Sequence, residues 1–205
     1  MSISGVILAA GQGTRMKSSL PKVLHNVLGI PMIVYAQEVI SHFDNKYVVV
    51  GHQSEKVSST LSETFIPVEQ KEQLGTGHAI STLLESSEFN SDQSQYLVVI
   101  PGDVPLIRKK DIDKLVNDVV ASNAAIGLIS ANVQNPFGYG RIVKNNEEFE
   151  KIIEESDASE TEKLINEINS GIYCIDINFL NSNIGSLESS NNQKEFYLTD
   201  LINIA

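Results

Sequence analysis

Ile3-Ser4-Gly5-Val6-Ile7-Leu8-Ala9-Ala10-Gly11-Gln12-Gly13-Thr14-Arg15-Met16, with Leu20-Pro21-Lys22 close behind, is the stretch on which the fold turns. Val6-Ile7-Leu8 is apolar without a break and reads as the centre of a buried strand over residues 3–9. The chain then becomes nearly bare of side chain, and two alanines and two glycines let a backbone pass close to a ligand. Successive amide N–H groups in such a loop can form an anion-binding concavity. Arg15 and Lys22 bring two cations to the place where phosphate would lie. Neither common phosphate loop fits. A Walker A loop closes on Gly-Lys-Ser/Thr, whereas Gly13 is followed by Thr14-Arg15. The dinucleotide fingerprint needs a third glycine at position 16, which is Met16. The reading is a nucleoside triphosphate site of another kind, although Gly-x-Gly alone is equally explained by a plain strand-to-helix turn.

Outward from that strand, β-like and helix-like runs alternate. A helix over 32–43 has Met32, Tyr35, Ala36, Val39, Ile40 and Phe43 on one face, with Pro31 at its first turn. Strands follow at 47–50, 65–68 and 96–100, with helices near 55–61, 76–84 and 111–120. Solidly apolar strands alternating with helices predict a mostly parallel sheet covered on both faces. After residue 124 the texture changes to β-like runs at 124–133, 141–144 and 168–175. Residues 147–167 hold nine acids and read as a solvated face plus a flexible loop, with Glu154 the acid singled out for function. Ser189-Ser190-Asn191-Asn192 reads as an exposed loop. With no repeat and no clear linker, one domain over 1–205 is the simplest organisation.

A hydrophobic share of 41% is ordinary for a globular protein. No apolar run approaches a membrane span and no signal-peptide pattern opens the chain, so the expected place is the cytoplasm, with no membrane partner. The single cysteine, Cys174, lies in an apolar run and reads as an inert core thiol. A net charge of −11 argues against binding a nucleic-acid polymer. Within it, residues 1–37 carry Arg15, Lys17 and Lys22 and no acid, a local +3 that coincides with the glycine loop. Lys17 reads as solvated.

A second constellation is Val98-Val99-Ile100-Pro101-Gly102-Asp103-Val104-Pro105-Leu106. A carboxylate at the carboxyl end of a buried strand lies where open α/β sheets bind ligands. Mg²⁺ takes one or two carboxylates plus substrate phosphates, so Asp103 is a candidate metal ligand; the competing reading is a cap on the next helix. The third, Glu69-Gln70-Lys71-Glu72-Gln73-Leu74-Gly75-Thr76-Gly77-His78-Ala79, runs from a strand end into a helix. Gln plus backbone amides supply the paired donors and acceptors that an uncharged base needs. His78 is expected to pack or hydrogen-bond at the helix start. Further on, Phe137-Gly138-Tyr139-Gly140-Arg141, Glu154, Asn169 in Asn169-Ser170-Gly171, and Tyr197-Leu198-Thr199-Asp200 offer groups suited to sugar hydroxyls.

The string Leu-Ala-Ala-Gly-x-Gly-Thr-Arg-Met with Leu-Pro-Lys resembles the signature of the nucleotide-diphospho-sugar transferases, and Gly-Asp-Val-Pro-Leu resembles their metal-binding segment. Five motifs in order, across essentially the whole chain, look like the uridyltransferase domains of bacterial bifunctional UDP-N-acetylglucosamine pyrophosphorylases. The resemblance implies a Rossmann-like three-layer α/β sandwich with a mostly parallel mixed sheet. It implies Mg²⁺-dependent formation of UDP-N-acetylglucosamine and pyrophosphate from UTP and N-acetylglucosamine 1-phosphate. Arg15, Lys22 and Asp103 would be catalytic. Leu8, Ala9, Ala10, Gly11, Gly13, Thr14, Gln70, Gly75, Thr76 and Gly102 would bind nucleotide. Gly140, Glu154, Asn169, Tyr197 and Thr199 would bind sugar. The family's second metal ligand, an Asn, lies downstream of Ala205, and the acetyl-transferring β-helix is not in this sequence. The chain therefore reads as a fragment, expected to be monomeric where full-length relatives are trimers. Pro101 stands where relatives often place an aromatic residue. A dTTP- or GTP-using transferase and a non-catalytic nucleotide-sugar-binding module are the rival readings.

Overall fold

The computed structural model describes all 205 residues except Thr14, Arg15 and Glu147. In chain order the elements are β1 (Ile3–Ala9), the short hairpin β2 (Asn26–Val27) and β3 (Ile30–Pro31), α1 (Met32–Ile40), β4 (Asn45–Val50), α2 (Ser54–Ser58), β5 (Ile66–Glu69), α3 (Thr76–Leu84) and β6 (Tyr96–Pro101). Then come α4 (Lys109–Ser122), β7 (Ile126–Asn132), β8 (Arg141–Asn145), β9 (Glu148–Ile153), β10 (Glu167–Asp176) and α5 (Ile177–Asn183). The large sheet runs β5-β4-β1-β6-β10-β8-β9, with β7 also on β10.

Its first half is parallel. Ile7 of β1 stands between Val48 and Ile100, and Val6 between Tyr47 and Val99. Because side chains alternate along a strand, the two rows bury opposite faces. Ile7, Val48 and Ile100 pack beneath Ile33, Ala36 and Ile40 of α1 and Ile112, Val116 and Val119 of α4. Val6, Tyr47 and Val99 pack against Ala79, Ile80 and Leu83 of α3, with Leu180, Leu198 and Leu201 completing that layer. Strands apolar on both faces thus yield three layers, as their composition predicts. Cys174 is fully buried in the first of these cores, and burial pushes its thiol up to about 12.

The second half of the sheet is antiparallel and hangs on β10. Tyr173–Asp176 pair with β6, while Ile168 pairs with Arg141 of β8. Between the two stretches the register of β10 against β7 shifts, from Asn169 to Tyr173. The acidic segment expected as a loop is in part a strand: β9 pairs with β8 from Asn145↔Glu148 to Arg141↔Ile153. Glu148, Phe149 and Glu150 are exposed and Ile152 is buried, the charged outer strand by which a sheet blunts its edge. No helix is long and apolar enough to cross a membrane among the described residues.

Candidate active site

A cleft of about 450 Å³ opens where the carboxyl ends of β1 and β6 meet the irregular part of β10. One wall is the glycine loop. Leu8, Ala9, Ala10, Gly11 and Gly13 line it, as does Lys22, which opens a short 3-10 turn over Lys22–Leu24. Gly13 has φ +63°, and a Cβ there would stand 2.7 Å from Lys22 Cβ. Only a residue without Cβ lets Lys22 lie against the loop. Gln53, itself left-handed at φ 54°, donates from Nε2 to the Ser19 carbonyl at 2.7 Å and fixes the loop's outer limb.

Asp103 sits two residues beyond β6, on the cleft, and its carboxylate forms an ion pair with the Lys22 ammonium. The side chains are 24% and 40% exposed, so the pair is open to an incoming ligand. α4 begins at Lys109 behind Arg108, so Asp103 does not cap it and that alternative falls away. Among the described residues no group of three or more His, Cys, Asp or Glu could hold a metal ion. A single carboxylate suits a cation that takes most of its oxygens from phosphates and water, as Mg²⁺ does.

The second wall follows β5. Gln70 is buried, and its Nε2 donates to the Gly75 carbonyl at 3.2 Å and lies 2.9 Å from His78 Nδ1. His78 therefore hydrogen-bonds at the start of α3, as expected. Gln73, which sequence reasoning left unassigned, also lines the cleft and donates to the Gln70 carbonyl at 2.8 Å. Gly75 has φ +108°, and a Cβ there would be 2.6 Å from the Phe196 carbonyl oxygen. The reason is a clasp between distant segments. Gly77 N–H donates to the Phe196 carbonyl at 2.7 Å, Phe196 N–H to the Leu74 carbonyl at 2.8 Å, and Leu198 N–H to Thr76 Oγ1 at 3.0 Å.

The opposite wall is built from β8, β9 and β10. Asn169 Nδ2 donates to the Tyr173 hydroxyl at 2.6 Å, while its Oδ1 accepts from Gly171 N–H at 3.0 Å. Its own N–H donates to the Gly140 carbonyl at 2.8 Å. Thr199 Oγ1 donates to Glu154 Oε1 at 3.4 Å. Burial raises the Glu154 carboxyl above its ordinary range; Thr199 opposes this, while Asp157, Asp200 and Glu195 reinforce it. Burial likewise raises Glu195 and Asp200. A carboxylate-rich wall thus faces one carrying Lys22.

Most of the residues predicted from sequence converge on this cleft: Lys22, Asp103, Gln70, Gly75, Thr76, Gly140, Glu154, Asn169 and Thr199 all line it. Arg15 and Thr14 lie outside the described residues. Gly102 stands behind the wall, where a Cβ would meet Val23 Cγ1 at 2.9 Å. Tyr197 lines an adjoining depression shared with Glu154 and Thr199, and burial pushes its phenol up to about 12. Tyr173 is a cleft residue that sequence reasoning did not single out, and Glu195, which opens the run to Asp200, lines the cleft too. Tyr173 lay inside an apolar strand run, where nothing marks one side chain as reaching a ligand.

Residues 5–164 match the family of MobA-like NTP transferase domains. The chain is 43% identical over 211 residues to the bifunctional protein GlmU of Trichlorobacter lovleyi, covering 100% of the chain and 45% of that protein. It is 44% identical over 202 residues to the bifunctional protein GlmU of Shouchella clausii, covering 97% of the chain and 44% of that protein. The chain spans about half the length of the curated relatives it matches. Its backbone is similar to a UDP-glucose pyrophosphorylase solved with UDP-glucose, at a TM-score of 0.76 and 18% identity, over 100% of this chain and 86% of that one.

Proposed function

The chain belongs to the family of MobA-like NTP transferase domains, and from that premise we propose that it is a sugar-1-phosphate uridyltransferase. It joins UTP and N-acetylglucosamine 1-phosphate into UDP-N-acetylglucosamine and pyrophosphate, and residues 1–205 belong to the uridyltransferase part. The likeness to the GlmU proteins across the whole chain supports this choice of substrates. The observation that carries it is the meeting of Lys22 and Asp103 in one cleft between a glycine-lined wall and a wall bearing Gly140, Glu154, Asn169 and Thr199.

An oxygen of the sugar phosphate attacks the α-phosphorus of UTP in line; the new P–O bond forms as the bond to pyrophosphate breaks. The nucleophile is already an anion at neutral pH, so no general base is required, and His78 is left to its hydrogen bond with Gln70. The protein's task is to bring two polyanions together and to stabilise the charge that gathers between them. Two unit charges 4 Å apart repel by about 4 kcal/mol at an effective dielectric near 20, which makes cations indispensable. On this reading Lys22 exchanges Asp103 for phosphate oxygens and bridges the α-phosphate and the sugar phosphate. Arg15 would hold the triphosphate and the departing pyrophosphate, a role that the fork of a guanidinium suits. Asp103, freed of Lys22, would hold Mg²⁺, which when bound supplies positive charge to the phosphate oxygens. Gln70 and the Gly75–Thr76 backbone receive the uracil. Gly140, Glu154, Asn169 and Thr199 receive the sugar, as polar groups already fixed by one another. On this reading the reaction is a cytoplasmic one.

Pyrophosphate release is the test. The expected result is release from UTP with N-acetylglucosamine 1-phosphate, lost on chelation with EDTA and restored by Mg²⁺. Release that chelation leaves unchanged would overturn the metal assignment. A clear preference for dTTP or GTP, or for another hexose 1-phosphate, would overturn the choice of substrates.

A further inference from the structure

Among the described residues Arg141 is the largest side chain buried almost completely, at 1% exposure, and its Nε has no hydrogen-bond partner there. Its guanidinium donates through one terminal nitrogen to the Tyr139 carbonyl, and through the other to Glu155 Oε2 at 2.6 Å. The same Glu155 oxygen accepts from Gly138 N–H at 3.0 Å. One ion pair, buried on its arginine side and 24% exposed at Glu155, therefore grips residues 138 and 139 of the loop that leads into β8. Gly140, next in line, closes the arrangement on the cleft. Its carbonyl accepts from Asn169 N–H, and a Cβ there would stand 3.3 Å from both Glu154 oxygens.

Burying a guanidinium beside a single carboxylate is a poor way to gain stability, since a well-packed apolar residue at such a place is often neutral or better. A planar fork does what an apolar residue cannot, fixing a carbonyl and a carboxylate in one orientation. Glu155 is adjacent in sequence to Glu154, so whatever holds Glu155 also sets where Glu154 enters the cleft. We infer that Arg141 and Glu155 are positioning residues: acting through the Gly138–Gly140 loop and Glu154, they set the wall that receives the sugar phosphate and leave the nucleotide wall untouched. The inference rests on the proposed division of the cleft into a nucleotide and a sugar side.

The test uses Arg141→Lys, Glu155→Gln and Glu155→Ala, with thermal melting followed on each. Glu155→Gln keeps an acceptor for Gly138 N–H and Glu155→Ala does not. A displacement near 1 Å of groups that orient a substrate can cost about a hundredfold. Glu155→Ala and Arg141→Lys are therefore expected to raise KM for the sugar phosphate roughly 10- to 100-fold, with KM for UTP within about twofold of the parent. Glu155→Gln should recover part of the loss. Equal changes in both KM values, or lowered melting with unchanged kinetics, would overturn the inference. Amide hydrogen exchange on the same variants reads the clamp without any turnover. Faster exchange over residues 136–142 with unchanged exchange over 8–13 supports it, and unchanged exchange over 136–142 refutes it. If the parent fails to turn over UTP and N-acetylglucosamine 1-phosphate, the functional proposal falls, and exchange alone decides the clamp.

Discussion

Replacing Gly75 with alanine adds one methyl group where the structure leaves no room for it. Gly75 has φ +108° and ψ 177°, a conformation that is close to exclusive to glycine and costs other residues of order 1–3 kcal/mol. The added Cβ would also lie 2.6 Å from the Phe196 carbonyl oxygen and 2.9 Å from Glu195 Cβ. The first of these is backbone and is held by Gly77 N–H at 2.7 Å, so it cannot yield without breaking the clasp. Overpacking of this kind adds about 1–3 kcal/mol. With partial relaxation the net loss should reach at least about 2 kcal/mol, or roughly 4–8 °C of Tm for a domain of this size. Gly11→Ala is the matched control: among the described residues a Cβ there meets nothing within 4 Å, although Gly11 lines the same cleft. It should leave stability within about 0.5 kcal/mol of the parent and, on the proposed function, weaken UTP binding by filling cleft space. Urea unfolding and a nucleotide titration read the two effects separately. If Gly75→Ala unfolds within about 0.5 kcal/mol of the parent, or Gly11→Ala is as damaging to stability, the steric argument is wrong.

Lys22→Ala and Asp103→Ala should each lower turnover roughly several hundredfold, the scale of losing one preorganised electrostatic group. Their pair is partly exposed, so melting should hardly move; near-normal turnover in both would end their catalytic assignment. Tyr173→Phe removes the buried acceptor of Asn169 Nδ2, and the stranded amide should cost about 1–3 kcal/mol in denaturant unfolding. Glu154→Gln tests the raised carboxyl. Its folded pKa lies above the ordinary 4.5, so the ionised form opposes folding at pH 7, and that penalty fades as pH falls through the raised value. The variant should thus be the more stable at neutral pH and lose its advantage as the medium is acidified. An advantage that grows on acidification would show that the sign is wrong.

The parallel half of the fold was legible because its strands are apolar on both faces, a pattern that loops and helices of that length do not share. The glycine loop and the Gly-Asp-Val-Pro segment were legible because each sits at the end of such a strand, where chain direction alone puts them on one edge of the sheet. β9 was hidden because its outer residues are charged and only Ile152 is buried, so local composition resembles a loop and the pairing with β8 decides. The Arg141–Glu155 pair was hidden for a related reason. A basic residue opening a strand and one acid among nine look solvated until the fold buries the first and sets the second against it. Tyr197 was placed by its motif, yet the turn at Leu198–Asn203 directs it to the neighbouring depression, an outcome of packing against α3 that spacing does not encode.

The clasp between Thr76 and Leu198 joins residues 122 positions apart. During synthesis, at about 5–20 residues per second, the Gly75–Thr76 loop must wait roughly 6 to 24 s for its partner to be made. The glycine wall can form as soon as β1, β4 and β6 exist, whereas the facing loop stays unfastened until the chain is almost 200 residues long. The nascent protein thus acquires its glycine-lined wall well before the opposing loop is fastened, and a chain released before Leu198 would carry Lys22 and Asp103 without a finished cleft.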